Sequence, residues 1–180
     1  TSVTTDGLAS LVERTIESAS DQSVDDAFPG FGGPVDPTEV DLFDEATAEA
    51  DPSARAEVVK AFVDAGEGLL AAGMCETMAF YDAYANTSGR RVHGRSTKAI
   101  LDGIHQTSTT AGSGHSAGRG LSDIAAQSAG EQAATRARMG EHPFDTKPGE
   151  YEVVLAPEAT ATIAEFLSSY GFNGKAHNEG

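Results

Sequence analysis

The sequence has one cysteine, no tryptophan and few aromatic residues, and its 12 lysines and arginines face 28 aspartates and glutamates. A single cysteine cannot form an internal disulfide, which excludes a small secreted module held together by disulfides. No run of about 18 apolar residues occurs, so no transmembrane helix is expected. The formal charge of −16 opposes contact with nucleic-acid phosphates. No secretory leader is recognisable, and the cytoplasm is therefore the expected location.

The length and composition are those of a small globular protein. A chain of 180 residues is one ordinary domain, or one domain plus a piece of another. Hydrophobic residues make up 39% of the chain, which is enough for a core. Because the chain has 20 glycines and few aromatics, that core is expected to consist of small side chains.

The acidic residues concentrate in residues 21–51, which we call the acidic strap. It holds ten acids and neither lysine nor arginine, together with three prolines and a glycine cluster. This composition favours a loop over a regular element. Apolar residues spaced along it (Phe28, Phe31, Leu42 and Phe43) predict a segment that lies on the domain. The oxygen-ligand spacing of a calcium loop is absent, so an acidic, solvated surface is the favoured interpretation.

Four segments have helical periodicity. Apolar residues recur along residues 6–19 at helical spacing, with Thr5 or Asp6 as the N-cap. Asp51 and Pro52 open a second helix, whose pattern continues to Gly73. Residues 121–139 form a third, and a fourth begins at Pro157.

Strands are predicted between these helices. Residues 74–85 form the first, residues 86–89 a turn, and residues 90–101 the return strand of a hairpin. Asp102 and Gly103 indicate a second turn, followed by a third strand over residues 104–111. After a linker, residues 151–155 read as a short apolar strand. The order predicts an α+β fold with helices packed on an antiparallel β-meander.

No catalytic or metal-ligating group stands out from residue types alone. Five histidines are present, and His93 and His105 are expected on neighbouring strands, but none has zinc-ligand spacing with another histidine or with Cys75. Cys75 is interpreted as a small apolar residue.

Residues 112–117 match the G-x-G-x-x-A fingerprint of dinucleotide-binding loops. The preceding segment is polar, whereas a Rossmann strand is continuously apolar, so a connection between a hairpin and a helix is the favoured interpretation. A nucleotide site at this loop, in an enzyme acting alone, stays open as an alternative.

Residues 148–159, PGEYEVVLAPEA, resemble the passage that joins the two domains of the TldD/PmbA family, peptidase-related proteins once called modulators of DNA gyrase. The segments VERTIESA, DLFDEATAEADPSARAEVVKAFVDA and ANTSGRRVHGRSTKA resemble the family in order and spacing. The resemblance implies that residues 1–146 are most of the N-terminal domain and residues 147–180 the beginning of the C-terminal domain. Family members are well over twice this length.

In the family, active TldD-type subunits carry HExxxH on the helix after this passage, where two histidines bind zinc and the glutamate activates water. The aligned positions here are Glu165, Phe166 and Tyr170. The resemblance therefore implies a zinc-free TldE/PmbA-type subunit, with no catalytic or metal-binding residue and no cofactor of its own. Its implied partner is a zinc-containing TldD-like subunit in a heterodimer, with self-association as the other possibility. Peptide is the implied substrate, and neither nucleic acid nor membrane is an expected partner.

Two other functions remain open beside this one. One is a binding module that uses the acidic strap to engage a basic partner, and such binding would weaken steeply with salt. The other is the nucleotide-dependent enzyme described above.

Overall fold

The computed structural model describes residues 3–26 and 28–179, with residues 178 and 179 described by their backbone alone. In chain order the elements are α1 (Thr5–Ser20), α2 (Glu45–Ala48), α3 (Pro52–Asp64), β1 (Leu70–Ala85), β2 (Arg91–Gln106), β3 (Ala111–Gly118), α4 (Ala126–Met139), α5 (Pro157–Phe166) and α6 (Gly174–Glu179). A 3₁₀ turn at Leu121–Asp123 precedes α4, and a π-helical turn at Leu167–Gly171 follows α5. The predicted α+β class is confirmed.

The chain divides into two compact units. One comprises residues 31–148 and contains the sheet with α2, α3 and α4. The other groups residues 1–30 with residues 149–180. The boundary proposed at residues 146 and 147 stays a prediction about the family's domains.

The sheet is an antiparallel meander in the order β1-β2-β3. β1 pairs with β2 along its whole length, from Leu70 opposite Gln106 to Ala85 opposite Arg91. The turn between them is the predicted one, since the Asn86 side-chain oxygen accepts hydrogen bonds from the backbone N–H groups of Ser88 and Arg90. β3 is half as long as β2 and pairs only with residues 99–106.

The turn predicted at Asp102 and Gly103 is wrong. Both residues lie inside β2, where Asp102 pairs with Met74 and Gly103 with Gly73. The dipeptide has the composition of a turn, but the sixteen-residue partner strand β1 holds it extended. The actual turn lies at residues 107–110, where the Thr107 hydroxyl accepts from the backbone N–H of Thr110. The third strand is therefore residues 111–118, and the prediction of residues 104–111 is wrong.

The start predicted for the helix at Asp51 and Pro52 is confirmed, but the helix is shorter than predicted. The Asp51 carboxylate accepts a hydrogen bond from the Ala54 N–H, as an N-cap does. The helix ends at Asp64, followed by Glu67 and Gly68 with positive φ, so residues 70–73 belong to β1. In α1 the N-cap is Thr4, whose hydroxyl accepts from Gly7 N–H, rather than Thr5 or Asp6.

The core lies between one face of the sheet and helices α3 and α4. Phe62 of α3 and Leu101 of β2 are its large members, and alanines of α4 fill the rest. Small side chains dominate this core, as the composition predicted. Alternation along β2 places its odd-numbered residues from Thr97 to His105 on this face, where they are buried.

The second unit contains α1, α5, the π-helical turn and α6. The helices predicted over residues 6–19 and from Pro157 onward are present. The strand predicted for residues 151–155 is wrong, since these residues have no regular structure and are exposed. An apolar run becomes a strand only where a partner strand hydrogen-bonds to it, and the sheet of the described residues consists of β1, β2 and β3.

No helix in the described ranges is both long and apolar enough to cross a membrane.

Candidate functional site

The three positions that align with the family's HExxxH motif lie at the end of α5. Glu165 and Phe166 are its last two residues, and Tyr170 lies in the π-helical turn that follows. The rings of Phe166 and Tyr170 stack with their centroids 5.9 Å apart and their planes 10° from parallel. Neither ring offers the imidazole nitrogen or the carboxylate that a catalytic zinc site uses. These residues therefore do not fit a zinc ion.

The π-helical turn gives this position its geometry. In an α-helix, residues five apart lie about 140° apart around the axis, because each residue turns by about 100°. A π turn makes hydrogen bonds five residues apart, and the Phe172 N–H donates to Leu167 O at 3.2 Å. Tyr170 lies inside this turn, whereas Glu165 lies before it, in α5.

Residues 112–117 form no phosphate-binding loop. They lie in β3, antiparallel to β2, whereas a dinucleotide fingerprint connects a strand to a helix. Gly112 and Gly114 face α4 so closely that a Cβ on either one would overlap the helix backbone. The glycines therefore allow β3 and α4 to approach each other closely. The prediction of a connecting loop at these residues is wrong, since they form a strand.

The histidines and the cysteine are dispersed. His93 and His105 lie on the same strand, about 40 Å apart, so their expected placement on neighbouring strands is wrong. His115 contacts the Asp102 carboxylate at 2.9 Å. Cys75 is half-buried against the core, and burial raises the pKa of its thiol, so it is a poor nucleophile. Within residues 3–26 and 28–179, no cluster of three or more His, Cys, Asp or Glu side chains could hold a metal ion.

His105 instead anchors α3 to the sheet. Its ring is fully buried and stacks on Phe62 with centroids 4.7 Å apart. Its Nε2–H donates to the Phe62 carbonyl at 3.0 Å in the tautomer that this geometry requires. The other nitrogen, Nδ1, has no hydrogen-bond partner among the described residues.

Hydrogen bonds attach residues 31–51 of the acidic strap to the sheet, whereas the apolar residues expected to anchor it, Phe28, Phe31 and Leu42, are about half exposed. The Thr97 N–H donates to Leu42 O at 2.9 Å, and the Thr97 hydroxyl accepts from the Asp44 N–H. At the other end, the Asn86 amide donates to Gly32 O and Arg90 Nε donates to Gly33 O. The strap is thus attached at the turn of the hairpin formed by β1 and β2 and at the middle of β2.

Arginines of the same unit neutralise part of the strap. Arg119 donates to both the carbonyl and the carboxylate of Asp41, at 2.8 and 3.1 Å. Arg95 contacts the Glu45 carboxylate at 2.8 Å and lies over the Phe43 ring, 4.2 Å from its centroid. Since these pairs are exposed, each stabilises the fold only weakly. Their main consequence is to fix where the strap lies.

Asp44 caps the short helix α2 where the strap ends. Hydrogen bonds from Thr47 lower the pKa of the Asp44 carboxyl below its ordinary value of 3.8. A lowered folded-state pKa stabilises the fold above the unfolded pKa, and this contribution disappears as the pH falls through the folded pKa. We expect Asp44→Asn, which keeps an N-cap oxygen, to lose less thermal stability than the parent chain as the pH falls from neutral through 3.8 and below.

Melting temperatures measured across that pH window test this expectation. Glu39→Gln is the matched control, because Glu39 is exposed and makes no hydrogen bond within the described residues. The melting temperature of Glu39→Gln should fall with pH in the same way as that of the parent chain. An identical fall in melting temperature for Asp44→Asn and the parent chain would contradict a stabilising contribution from the ionised Asp44 carboxylate.

One feature of the structure, a cleft beside β2, has no signal in the local sequence. β3 pairs only with residues 99–106 of β2, so residues 91–98 have no β-strand on their outer side, and the strap bonds there at Thr97. The strap passes beside this uncovered edge and leaves a cleft, lined by residues 37–42 and 91–95. The unequal lengths of β2 and β3 follow from strand pairing, which continues through Asp102 and Gly103, where the sequence predicts a turn.

Comparison with known proteins places this geometry among solved structures. No protein-family model matches the chain, and a search of curated protein sequences gives no match. Two solved structures are similar in fold, each with a TM-score of 0.56. One is a Thermotoga maritima protein described as a proposed modulator of a DNA gyrase, 17% identical over 70% of this chain and 31% of its own. The other is TldE from Thermococcus kodakarensis, 19% identical over 71% of this chain and 31% of its own.

The fold is of the TldD/PmbA type. The predicted resemblance is thereby confirmed at the level of fold, since identities below 20% carry no more than that. The matched region spans about a third of the length of each of these proteins.

Proposed function

We propose that this chain is part of a zinc-free TldE/PmbA-like subunit of a TldD/TldE-type metallopeptidase complex that degrades or processes peptides. Two observations support the proposal. The fold is shared with TldE from Thermococcus kodakarensis. The positions that would carry the zinc ligands and the general base hold Glu165, Phe166 and Tyr170.

The second observation is the stronger support, because it concerns what the side chains at the motif positions can do chemically. A general base must accept a proton from water, and the phenyl ring of Phe166 has no atom that can. The phenol of Tyr170 stacks on that ring instead of offering a neutral nitrogen to a metal. The role left to this chain is architectural: it would help to enclose the site where a TldD-like partner hydrolyses peptide. In this proposal zinc, as the Lewis acid and source of activated water, belongs to that partner.

The test combines this chain with a TldD-type subunit that carries HExxxH. We expect copurification, hydrolysis of an unstructured peptide only in the mixture, and zinc that follows the partner subunit in elemental analysis. Replacing the partner's motif histidines should abolish hydrolysis, whereas Phe166→Ala in this chain should leave the rate within about twofold. Full peptidase activity of this chain alone, with one zinc per chain, would overturn the proposal.

The two other functions can be separated from this one. Residues 112–117 do not form the phosphate-binding loop that a nucleotide site requires, because they lie in strand β3. A basic partner of the acidic strap remains a hypothesis, although Asp41 and Glu45 already pair with arginines of this chain. Binding to a basic partner that vanishes with added salt, without any TldD-type subunit, would favour that alternative.

A further inference from the structure

The cleft between the acidic strap and the uncovered edge of β2 has the features of a binding site. Its volume is about 890 Å³, and residues 37–42 and 91–95 line it. Pockets for small ligands commonly span about 300–1,000 Å³. Both walls belong to the unit of residues 31–148, and the strap is hydrogen-bonded at Gly33 and at Leu42, on either side of the cleft.

The floor of the cleft is a row of backbone groups that have no partner among residues 3–26 and 28–179. In a strand, the N–H and C=O of alternate residues point to opposite edges. The Thr97 N–H points away from β1, since it donates to Leu42 O. The backbone groups of Arg91, His93 and Arg95 therefore point the same way, into the cleft. In the described part of the chain they make no hydrogen bond on that edge.

An extended peptide is the ligand that satisfies such a row. A strand added to a sheet edge pairs its own N–H and C=O groups with those of the edge, whatever its side chains are. The same edge of β2 already binds one strand, β3, over residues 99–106. The uncovered length, residues 91–95, is about 14 Å, enough for about five extended residues.

The charges of the cleft indicate which side chains the peptide would carry. Arg95 is engaged by Glu45, and Asp41 is engaged by Arg119. Two charged side chains of the cleft have no partner among the described residues: Arg91 on the strand wall and Glu39 on the strap wall. Arg91 lies on the same face of the sheet as His93. A carboxylate facing Arg91 would complete an ion pair. On the other face, Gly94 leaves open space, since a Cβ there would meet nothing within 4 Å.

We propose that the cleft binds an extended peptide, which adds as a strand to the outer edge of β2 and places an acidic side chain against Arg91. The proposal depends on residues 31–51 and 91–97. It is independent of the residues at the end of α5 that carry the proposed subunit role, so either can fail without the other.

Fluorescence anisotropy with the 180-residue chain and a labelled five-residue probe, acetyl-Val-Asp-Val-Asp-Val, tests it. We expect saturable binding below about 1 mM. Arg91→Glu should weaken binding at least tenfold. The matched control is Lys98→Glu, which makes the same charge change on the same strand but outside the cleft, and it should change the Kd less than twofold.

Two further probes test the backbone and the charge. A fully N-methylated version of the peptide keeps the side chains and cannot donate backbone hydrogen bonds, so it should not bind. The lysine analogue, acetyl-Val-Lys-Val-Lys-Val, should bind more weakly than the acidic probe, because its lysines would lie against Arg91. No saturable binding of the acidic probe, or equal binding of its N-methylated form, would overturn the proposal. If Arg91→Glu fails to fold, as judged by circular dichroism, the N-methylated probe decides alone.

Discussion

Phe62→Ala is expected to lower the free energy of unfolding by about 3–5 kcal/mol. Phe62 is 3% exposed and sits at the centre of the core, between β2 and α4. Its ring stacks on His105 and lies against Gly103, where an added Cβ would come within 2.6 Å of the ring. Removing the ring leaves a cavity that the surrounding backbone cannot close, because strand and helix are fixed by their own hydrogen bonds.

Urea unfolding of the parent chain and the variant measures the effect, with an unchanged slope as the sign that the unfolded state is the same. Val59→Ala is the matched control on the same helix, since Val59 is 38% exposed, and it should cost about 1 kcal/mol or less. Equal losses for the two variants would show that Phe62 is not the centre of the core.

The environment of Phe62 shows what local sequence patterns could and could not predict. The start of α3 was predictable, because the Asp51 cap and Pro52 act through neighbouring backbone groups. Its end was not. Leu69 and Leu70 continue the helical spacing, but Gly68 and Glu67 turn the chain, and β2 then pairs with Leu70. The pairing partner is 36 residues away, beyond the reach of any local pattern.

The same cause explains the misplaced third strand. Asp102 and Gly103 have the composition of a turn, yet two neighbouring strands, β1 and β3, hold them in the middle of β2. The same distinction between local pattern and long-range pairing applies to the two candidate sites. The residues at the end of α5 were located from a sequence resemblance, whereas the cleft depends on unequal strand lengths. Only the three-dimensional pairing shows that Arg91, His93 and Arg95 have an uncovered edge.

The glycines of β3 distinguish a steric role from a nucleotide-binding role. A Cβ at Gly114 would overlap the Ala129 carbonyl oxygen of α4, and one at Gly112 would overlap the Ala133 carbonyl oxygen. Because both obstacles are backbone atoms, no side-chain rotation relieves the clash. Ser113, between them, points to the other face of the sheet. Two glycines at this spacing are therefore what a helix packed closely on a strand requires.

Gly114→Ala is accordingly expected to cost about 3 kcal/mol or more, since α4 must move away from the sheet and loosen the alanine core. Ser113→Ala is the matched control and should change the stability by less than about 0.5 kcal/mol. Urea unfolding of both variants gives the comparison. Thermal unfolding of the parent chain with ATP, NAD or NADP should show no shift, because these residues form a strand rather than a phosphate loop. Nucleotide-dependent stabilisation that Gly114→Ala removes, with little loss of stability in the free chain, would instead establish that the glycines serve a ligand.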